Sequence, residues 1–191
     1  MLTVRSGVLV GPRVRIRGLS RISVSGSRLR IGLGFYGFAD SRMNTLVRVR
    51  GRLEAAGGVS IGIGNRWDIG PDAVVRLGEA VHFSPQSLVI ATEGITIGAG
   101  SEISWNSQLM DSDFHDIGYG AEPQPQSAPI VLGERVLVGS GASILRGTTI
   151  ADGCVVAAGS VVRGVFDKPA CVIAGVPARV VRENVTWDEN R

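Results

Sequence analysis

The stretch LGERVLVGSGASILRGTTIADGCVVAAGSV, Leu132–Val161, repeats one six-residue unit five times without a slip. Each unit begins with an aliphatic residue, and its fifth residue is Val, Ala, Thr, Cys or Ser. The period combines the two-residue alternation of a strand with a turn every six residues. Each unit therefore predicts one short strand followed by one corner. Three corners close a triangular coil of about 18 residues, and stacked coils form a parallel β-helix.

The same unit continues towards the N-terminus, with interruptions. IGAGSE and ISWNSQ begin at Ile97 and Ile103, and LGEAVH and FSPQSL precede them after a shift of two residues. We predict one all-β domain over 1–191, with irregular coils over 1–58 and regular coils over 59–164. Pro169 breaks the repeat, and the following AGVPARVVREN predicts a strand and a turn of helix. Residues 165–191 would thus form a short cap and tail that hide exposed strand edges.

The composition agrees with a repeat structure and excludes several classes of protein. With 27 glycines and 5% aromatic residues, the interior must be filled by small, regularly placed aliphatic side chains. The chain has no apolar stretch long enough to span a membrane and no signal-peptide core near its N-terminus, so we expect a cytoplasmic protein. Cys154 and Cys171 are too few and too far apart for a metal framework. We therefore expect free thiols and no metal.

The N-terminal third is strongly basic. Residues 1–52 contain eleven arginines and a single acid, Asp40. Many of these arginines alternate with aliphatic residues, as in RVRIR at 13–17, which predicts the outer face of a strand whose inner face is buried. The arginines could form a solvated face, or they could contact an anionic glycolipid or membrane surface. No nucleic-acid partner is expected.

The repeat stops at SQLMDSDFHDIGYGAEPQPQSAP, residues 107–129, which contains His115. We predict a protruding loop over 116–129, whose three prolines make it stiff and unable to pair as a strand. An imidazole titrates close to neutrality and can take a proton from a hydroxyl, so His115 is a candidate general base. The alternative is an ordinary loop histidine. Asp111, Asp113 and Glu122 lie close enough in sequence to orient its ring.

The run from Val136 to Glu183, with its A-G-V-P-A-R ending, and the D-S-D-F-H segment at 111–115 resemble known proteins. They are similar to the sugar O-acetyltransferases of the hexapeptide-repeat superfamily, which include galactoside, maltose and nodulation-factor acetyltransferases. The resemblance is closest to capsule and exopolysaccharide O-acetyltransferases and covers about residues 59–183. It implies a left-handed β-helix, acetyl-CoA as cosubstrate, and a homotrimer. In such a trimer the loop projects towards a neighbouring subunit, and the glycan acceptor meets acetyl-CoA between two β-helices.

The resemblance also assigns roles to individual residues. It implies His115 as the base and the Ser140 N–H as the donor that stabilises the thioester oxyanion. Among the three acids near His115, we favour Asp113 as the one that orients its ring. The residues implied to hold acetyl-CoA are Ser140, Ala158, Arg163, Arg179 and Arg182, where Arg163 stands in for a lysine that relatives carry one residue later. The residues expected to contact the acceptor are Ser84, Gln86, Trp105 and Asp111. Relatives that act on galactosides have asparagine near Ser84, and this departure argues against a simple galactoside or maltose acceptor.

The preferred function is the transfer of acetyl from acetyl-CoA to a sugar hydroxyl, in a bacterial surface polysaccharide or its precursor. One alternative keeps the fold and acetylates the amine of a nucleotide-linked aminosugar. Another is a non-catalytic β-helix scaffold. A carbonic anhydrase with this fold would need three zinc-binding histidines, whereas the chain has only His82, expected to be structural, and His115.

Overall fold

Short β-strands form nearly all the regular structure of the protein. The computed structural model describes residues 3–5, 7–33, 39–40, 42–119 and 122–188. The strands are β1 (Thr3–Arg5), β2 (Val8–Val10), β3 (Val14–Arg17), β4 (Ile22–Val24), β5 (Leu29–Ile31), β6 (Thr45–Val49), β7 (Arg52–Ala55), β8 (Ser60–Ile61), β9 (Arg66–Ile69), β10 (Val74–Leu77), β11 (His82–Phe83), β12 (Leu88–Ala91), β13 (Gly94–Ile97), β14 (Glu102–Ile103), β15 (Gln108–Met110), β16 (Gly118–Tyr119), β17 (Glu122–Pro123), β18 (Ile130–Leu132), β19 (Leu137–Val138), β20 (Ser143–Leu145), β21 (Thr149–Ile150), β22 (Val155–Val156), β23 (Val161–Val162), β24 (Val165–Phe166), β25 (Val172–Gly175) and β26 (Ala178–Arg182). A 3₁₀ turn covers Leu19–Arg21. In the described ranges, no helix has both the length and the apolar character needed to cross a membrane.

Three sheets form the faces of a triangular coil. Sheet A has the order β1-β2-β5-β8-β11-β14-β19-β22-β25-β26, sheet B runs from β3 through β6, β9, β12, β15 and β20 to β23, and sheet C runs from β4 through β7, β10, β13, β18 and β21 to β24. From β2 to β25 successive coil strands pass from sheet A to B to C, and neighbours within each sheet are parallel. The predicted left-handed parallel β-helix is confirmed.

The interior is built from the positions that the six-residue unit predicts. The leading residues of the five units are all buried, as are the fifth residues. They are Leu132, Val138, Ile144, Ile150 and Val156, followed by Val136, Ala142, Thr148, Cys154 and Ser160. Burying an aliphatic side chain of this size contributes about 1.5–3 kcal/mol. Because each coil repeats the same inward positions, one continuous core extends along the stack.

The basic N-terminal residues belong to the same stack. Residues 8–58 contribute strands to all three sheets, and residues 34–38 and 41 lie outside the described part of the chain. In β6, Thr45, Val47 and Val49 point inward, whereas Leu46 and Arg48 are exposed. The prediction that the arginines of this region alternate with buried aliphatic residues is thus confirmed for β6.

Antiparallel strands close both ends of sheet A. At the N-terminal end β1 pairs antiparallel with β2, and at the C-terminal end β26 pairs antiparallel with β25. The turn of helix expected within AGVPARVVREN is wrong: Ala178–Arg182 is a strand, in keeping with the β-branched pair Val180 and Val181. The tail returns to the stack, where the Trp187 Nε1 donates to the Arg135 carbonyl at 2.8 Å.

The corners are named here by the sheets that they join: AB, BC and CA. At AB, each coil from β8 to β23 has one residue with a left-handed backbone, for example Gly141 with φ of 70° and Gly159 with φ of 69°. The N–H of Gly141 donates to the Trp105 carbonyl at 2.8 Å, and the N–H of Gly159 donates to the Ser140 carbonyl at 2.9 Å. These bonds stack the AB corners of successive coils directly on one another.

Candidate functional site

The coil opens at one BC corner. The chain leaves the stack after Met110 and returns with β18 at Ile130. Between them β16 and β17 form an antiparallel hairpin in which Gly118 faces Pro123. The expectation that the prolines prevent strand pairing is wrong for Pro123. In a two-stranded sheet both strands are edges, and a proline on an edge removes no hydrogen bond from a central ladder.

The base of this loop is held by main-chain hydrogen bonds. The Asp113 N–H donates to the Gln126 carbonyl at 2.9 Å, and the Ala128 N–H donates to the Asp111 carbonyl at 3.0 Å. The Gly147 N–H of the next coil donates to the Ala128 carbonyl at 3.0 Å. The two chain segments that flank the loop are therefore tied to each other and to the stack below.

Asp111 ties the loop to the coil above. It is fully buried, and its carboxylate accepts hydrogen bonds from the N–H and hydroxyl of Thr92 at 2.7 and 2.9 Å. The N–H groups of Glu93 and Gly94 donate to its second oxygen at 2.8 and 2.7 Å. These bonds occupy both oxygens inside the preceding BC corner. Asp111 was expected to orient His115 or to bind the acceptor, but its hydrogen bonds face the coil instead.

His115 lies exposed on a tight turn at the start of the loop. Its Nδ1 is 3.2 Å from the Asp113 carbonyl oxygen. With the proton on Nδ1, the ring would donate to this carbonyl and leave Nε2 as the basic nitrogen. The preceding Phe114 is 48% exposed and has φ of 58°, a conformation rare for a bulky side chain and concentrated at functional sites.

Arg146, which the sequence analysis missed, anchors this turn from the next coil. Its guanidinium forms an ion pair with the Asp113 carboxylate, and its side chain is only 5% exposed. Asp113 thus contacts His115 through its carbonyl and Arg146 through its carboxylate. The third residue of the other four units is exposed, at Glu134, Ser140, Asp152 and Ala158. Glu122, the third candidate acid, is exposed on the hairpin strand β17.

A second group of candidate residues lies at the AB corner. Ser140 and Ala158 are exposed and stacked in successive coils, with Trp105 half-buried in the coil before them. Among the described residues, the Ser140 N–H donates to no other group. Ser84 is only 6% exposed, whereas Gln86 is half-buried and lines a groove of about 540 Å³ that also contains Arg42 and Asn106.

The arginines expected at the acetyl-CoA phosphates also lie in two different parts of the structure. Arg179 and Arg182 are exposed on β26, where Arg179 faces Ala174 next to the AB end of β25. Arg163 is exposed at the BC corner, on the coil that follows Arg146. Only Arg179 therefore lies on the same side of the stack as Ser140.

The candidate residues consequently form two groups at different corners of one chain. His115, Asp113, Arg146 and Arg163 belong to BC, and Ser84, Gln86, Trp105, Ser140 and Ala158 belong to AB. About six residues of sheet B separate the corners, a span of roughly 20 Å in extended chain. A single copy does not bring the exposed histidine and the Ser140 N–H to one reacting carbon.

The remaining candidates lie elsewhere. His82 is half-buried on sheet A, in register with Ser60 and Glu102 of its neighbouring strands, and its Nδ1 is 2.5 Å from the Ser60 hydroxyl. Cys154 and Cys171 are buried free thiols, and burial raises the pKa of Cys154. Within the described ranges, no three side chains of metal-binding type gather at one point.

Comparisons with known proteins agree with the β-helix fold. The family described as "Bacterial transferase hexapeptide (six repeats)" matches residues 129–164. An uncharacterized 24.8 kDa protein in the cps region of Klebsiella pneumoniae is 36% identical over 97% of this chain and 83% of its own length. The putative lipopolysaccharide biosynthesis O-acetyl transferase WbbJ of Escherichia coli (strain K12) is 30% identical over 78% of this chain and 82% of its own. The crystal structure of galactoside acetyltransferase in complex with coenzyme A is similar with a TM-score of 0.58 and 26% identity, over 69% of this chain and 64% of that one.

Proposed function

The chain belongs to the bacterial hexapeptide-repeat transferases and is an acetyltransferase that uses acetyl-CoA; from this premise we propose that it acetylates a sugar hydroxyl of a surface polysaccharide or its precursor. The observation that carries the proposal is the exposed His115, held on a strained turn by Asp113. The likeness to WbbJ supports a glycan acceptor. Because acetyl-CoA is made and used in the cytoplasm, the proposal includes a cytoplasmic reaction.

The chemistry follows from one base and one N–H donor. The His115 Nε2 takes the proton of the sugar hydroxyl while its oxygen attacks the thioester carbonyl carbon. A carbon–oxygen bond forms, and the carbonyl oxygen becomes an oxyanion that the Ser140 N–H stabilises. Collapse of this intermediate breaks the carbon–sulfur bond, and the imidazolium returns its proton to the leaving CoA thiolate. The products are an acetyl ester and free CoA, with the enzyme in its starting protonation state.

The division of the site between two corners supports a homotrimer. If the BC corner of one copy lies against the AB corner of the next, His115 of one subunit can face Ser140 of its neighbour. Ala158 and Arg179 of that neighbour would then line the path of the pantetheine arm and its phosphates. Closed threefold symmetry gives three equivalent sites. The small, exposed residues at AB, including Gly141 and Gly159, leave open space for this contact.

Mixing two inactive variants tests the shared site. His115→Ala removes the base, and Ala158→Trp blocks the pantetheine path, so each variant alone is expected to be inactive. When the two are refolded together in equal amounts, about a quarter of the sites combine an intact histidine with an intact neighbouring corner. We expect activity near that fraction of the parent. No recovered activity, in mixed assemblies verified by mass, would contradict a site shared between subunits.

The acceptor class is tested with labelled acetyl-CoA and a panel of glycans. An O-acetyl product loses its label in mild alkali, whereas the amide formed on an aminosugar does not. We expect alkali-labile label on a bacterial polysaccharide or oligosaccharide. Stable label would favour the aminosugar N-acetyltransferase, and failure to bind acetyl-CoA in calorimetry would favour the non-catalytic scaffold.

A further inference from the structure

The first coil of the stack leaves the N-terminal end of the core partly open. This coil consists of β2, β3 and β4, and within the described ranges β3 and β4 have no neighbouring strand on their N-terminal side. Four aliphatic residues that pack on this end of the core are only half-buried: Val14, Ile16, Leu19 and Val24. Val47, which is in register with Ile16 on the second coil, is buried. The end of the stack therefore has an apolar centre that is only partly covered.

An arginine lies at each corner of this coil. Arg13 precedes β3 at AB, Arg21 precedes β4 at BC, and Arg28 precedes β5 at CA. All three are exposed, and in the described part of the chain none of them forms an ion pair. The apolar centre is therefore flanked by a cation at every corner. We call the centre and these three arginines the N-terminal face.

The two ends of the stack differ in charge. Residues 8–32 contain six arginines and no aspartate or glutamate. Asp40, the single acid of residues 1–52, forms an ion pair with Arg42 at 2.8 Å. By contrast, residues 160–188 at the other end contain four basic and three acidic residues, and Lys168 pairs there with Glu183. The excess positive charge is therefore concentrated at the N-terminal end.

The homotrimer brings three N-terminal faces together. Corners run along the length of the stack, so contact between BC of one copy and AB of the next sets the stacks side by side. Copies related by rotation about one axis lie at equal heights along it, and their N-terminal faces are therefore coplanar. Sheet B, with Arg15 and Arg17, faces the axis in this arrangement, whereas Arg28 at the CA corner lies on the outer side. The assembly thus presents the corner arginines of three copies in one plane.

An anionic membrane surface has the shape and charge that match this plane. Apolar surface bordered by cations is typical of membrane contacts, and each arginine near an anionic leaflet adds to the attraction. The open edges of β3 and β4 limit how deeply the face can enter, because unpaired N–H and C=O groups are not tolerated in hydrocarbon. The face would therefore lie among the lipid headgroups. A second trimer carries the same charge on this face, so end-to-end stacking is opposed by repulsion.

We propose that the N-terminal face docks the trimer on a membrane rich in anionic phospholipid. In sheet B, β15 before the His115 turn lies four strand spacings from β3, or roughly 19 Å at about 4.8 Å per spacing. Docking would hold the reacting corner at about this height above the headgroups, within reach of a glycan that is still attached to a membrane lipid. The inference goes beyond the proposed function and rests on it only through the trimer, which makes the three faces coplanar.

Cosedimentation with vesicles tests the docking surface. The vesicles contain equal parts of phosphatidylglycerol and phosphatidylcholine, and phosphatidylcholine alone is the neutral comparison. The test variant is Arg21→Gln/Arg28→Gln, and the matched control is Arg52→Gln/Arg76→Gln, which removes the same charge from sheet C, where both arginines pair with Glu54. We expect the parent to bind the anionic vesicles in a salt-sensitive manner and to leave the neutral ones unbound. The test variant should bind about tenfold more weakly, and the control less than twofold more weakly.

Several results would overturn the proposal. These are no binding of anionic vesicles by the parent, equal weakening in both variants, or binding of soluble oligogalacturonate that depends on Arg21 and Arg28 while vesicle binding does not. A changed assembly mass in the Arg21→Gln/Arg28→Gln variant would assign these arginines to a contact between copies and would also overturn it. Acetyl-CoA affinity is measured in parallel by calorimetry. A parent that binds the vesicles through these arginines but does not bind acetyl-CoA would refute the proposed function and leave the docking surface in place.

Discussion

Replacing Arg146 with methionine tests whether a buried cation positions the candidate base. Methionine keeps much of the length and apolar volume of the side chain but removes the guanidinium that pairs with Asp113. The change leaves His115 and the loop sequence untouched. Any effect on catalysis must therefore pass through the Asp113 turn.

The expected magnitude follows from the burial of the two partners. Removing one member of a fully buried ion pair costs about 3–5 kcal/mol, because the other charge is left uncompensated. Here the Arg146 side chain is 5% exposed but Asp113 is 22% exposed and can be partly rehydrated, so we expect about 1–3 kcal/mol. The loss should open the loop base without unfolding the stack, because the aliphatic core is unchanged. A displacement of about 1 Å at the base is enough to lower kcat about a hundredfold.

The assay combines steady-state kinetics with hydrogen exchange. We expect Arg146→Met to lower kcat, to leave acetyl-CoA affinity near the parent value, and to speed amide exchange in residues 111–129. Arg146→Lys should recover part of the activity, because it restores the charge but not the planar fork. Arg76→Met, on an exposed ion pair of sheet C, is the control and should behave as the parent does. A parent-like kcat in Arg146→Met, or loss of activity with no faster exchange in the loop, would refute the positioning role.

Three further variants test the other parts of the site. His115→Ala should lower turnover by about a hundredfold to ten-thousandfold with unchanged unfolding and acetyl-CoA binding, and parent-like turnover would remove it from the mechanism. Asp111→Asn should lower the unfolding free energy measured in denaturant by about 2–4 kcal/mol, because an amide cannot accept all four hydrogen bonds that the carboxylate accepts; unchanged stability would contradict this. Single alanine variants of the three arginines expected at the CoA phosphates should weaken acetyl-CoA binding in calorimetry, while acceptor affinity stays nearly unchanged. They are Arg163, Arg179 and Arg182, and parent-like binding by all three would reject the assignment.

The core of the fold is readable from the sequence because its rules are local. A leading aliphatic residue and a small fifth residue recur at fixed spacing, and each occupies the buried position predicted for it, as at Ile144 and Thr148. Backbone alternation alone is enough to place Arg48 on the outer face. These features depend on the geometry of a strand and a corner, and both are completed within six residues.

The site was only partly predictable, because its contacts join distant parts of the chain. The Asp113–Arg146 pair links residues 33 positions apart, and nothing in ILRGTT distinguishes Arg146 from an exposed corner residue until the loop covers it. Pro123 pairs as part of a strand because β16 lies beside it in the hairpin. The low strand propensity of proline does not predict that neighbouring strand. Assigning His115 and Ser140 to different corners requires knowing which of the three sheets each strand of the coil joins. The loop between the two residues interrupts the six-residue repeat, so the succession of sheets cannot be followed across it in the sequence.

The coils on either side of the loop pair as if nothing had been inserted between them. Leu109 is in register with Ile144, and Ile95 is in register with Ile130, across an excursion that contributes no strand to the three main sheets. The entropy of closing a loop rises only slowly with its length, by about 0.6 kcal/mol for each doubling. Insertions at a corner can therefore lengthen, shorten or change composition during evolution without disturbing the register beneath them. In such a protein, evolution can retain the β-helix while the loop sequence changes. New substrate specificities can then arise without a new fold.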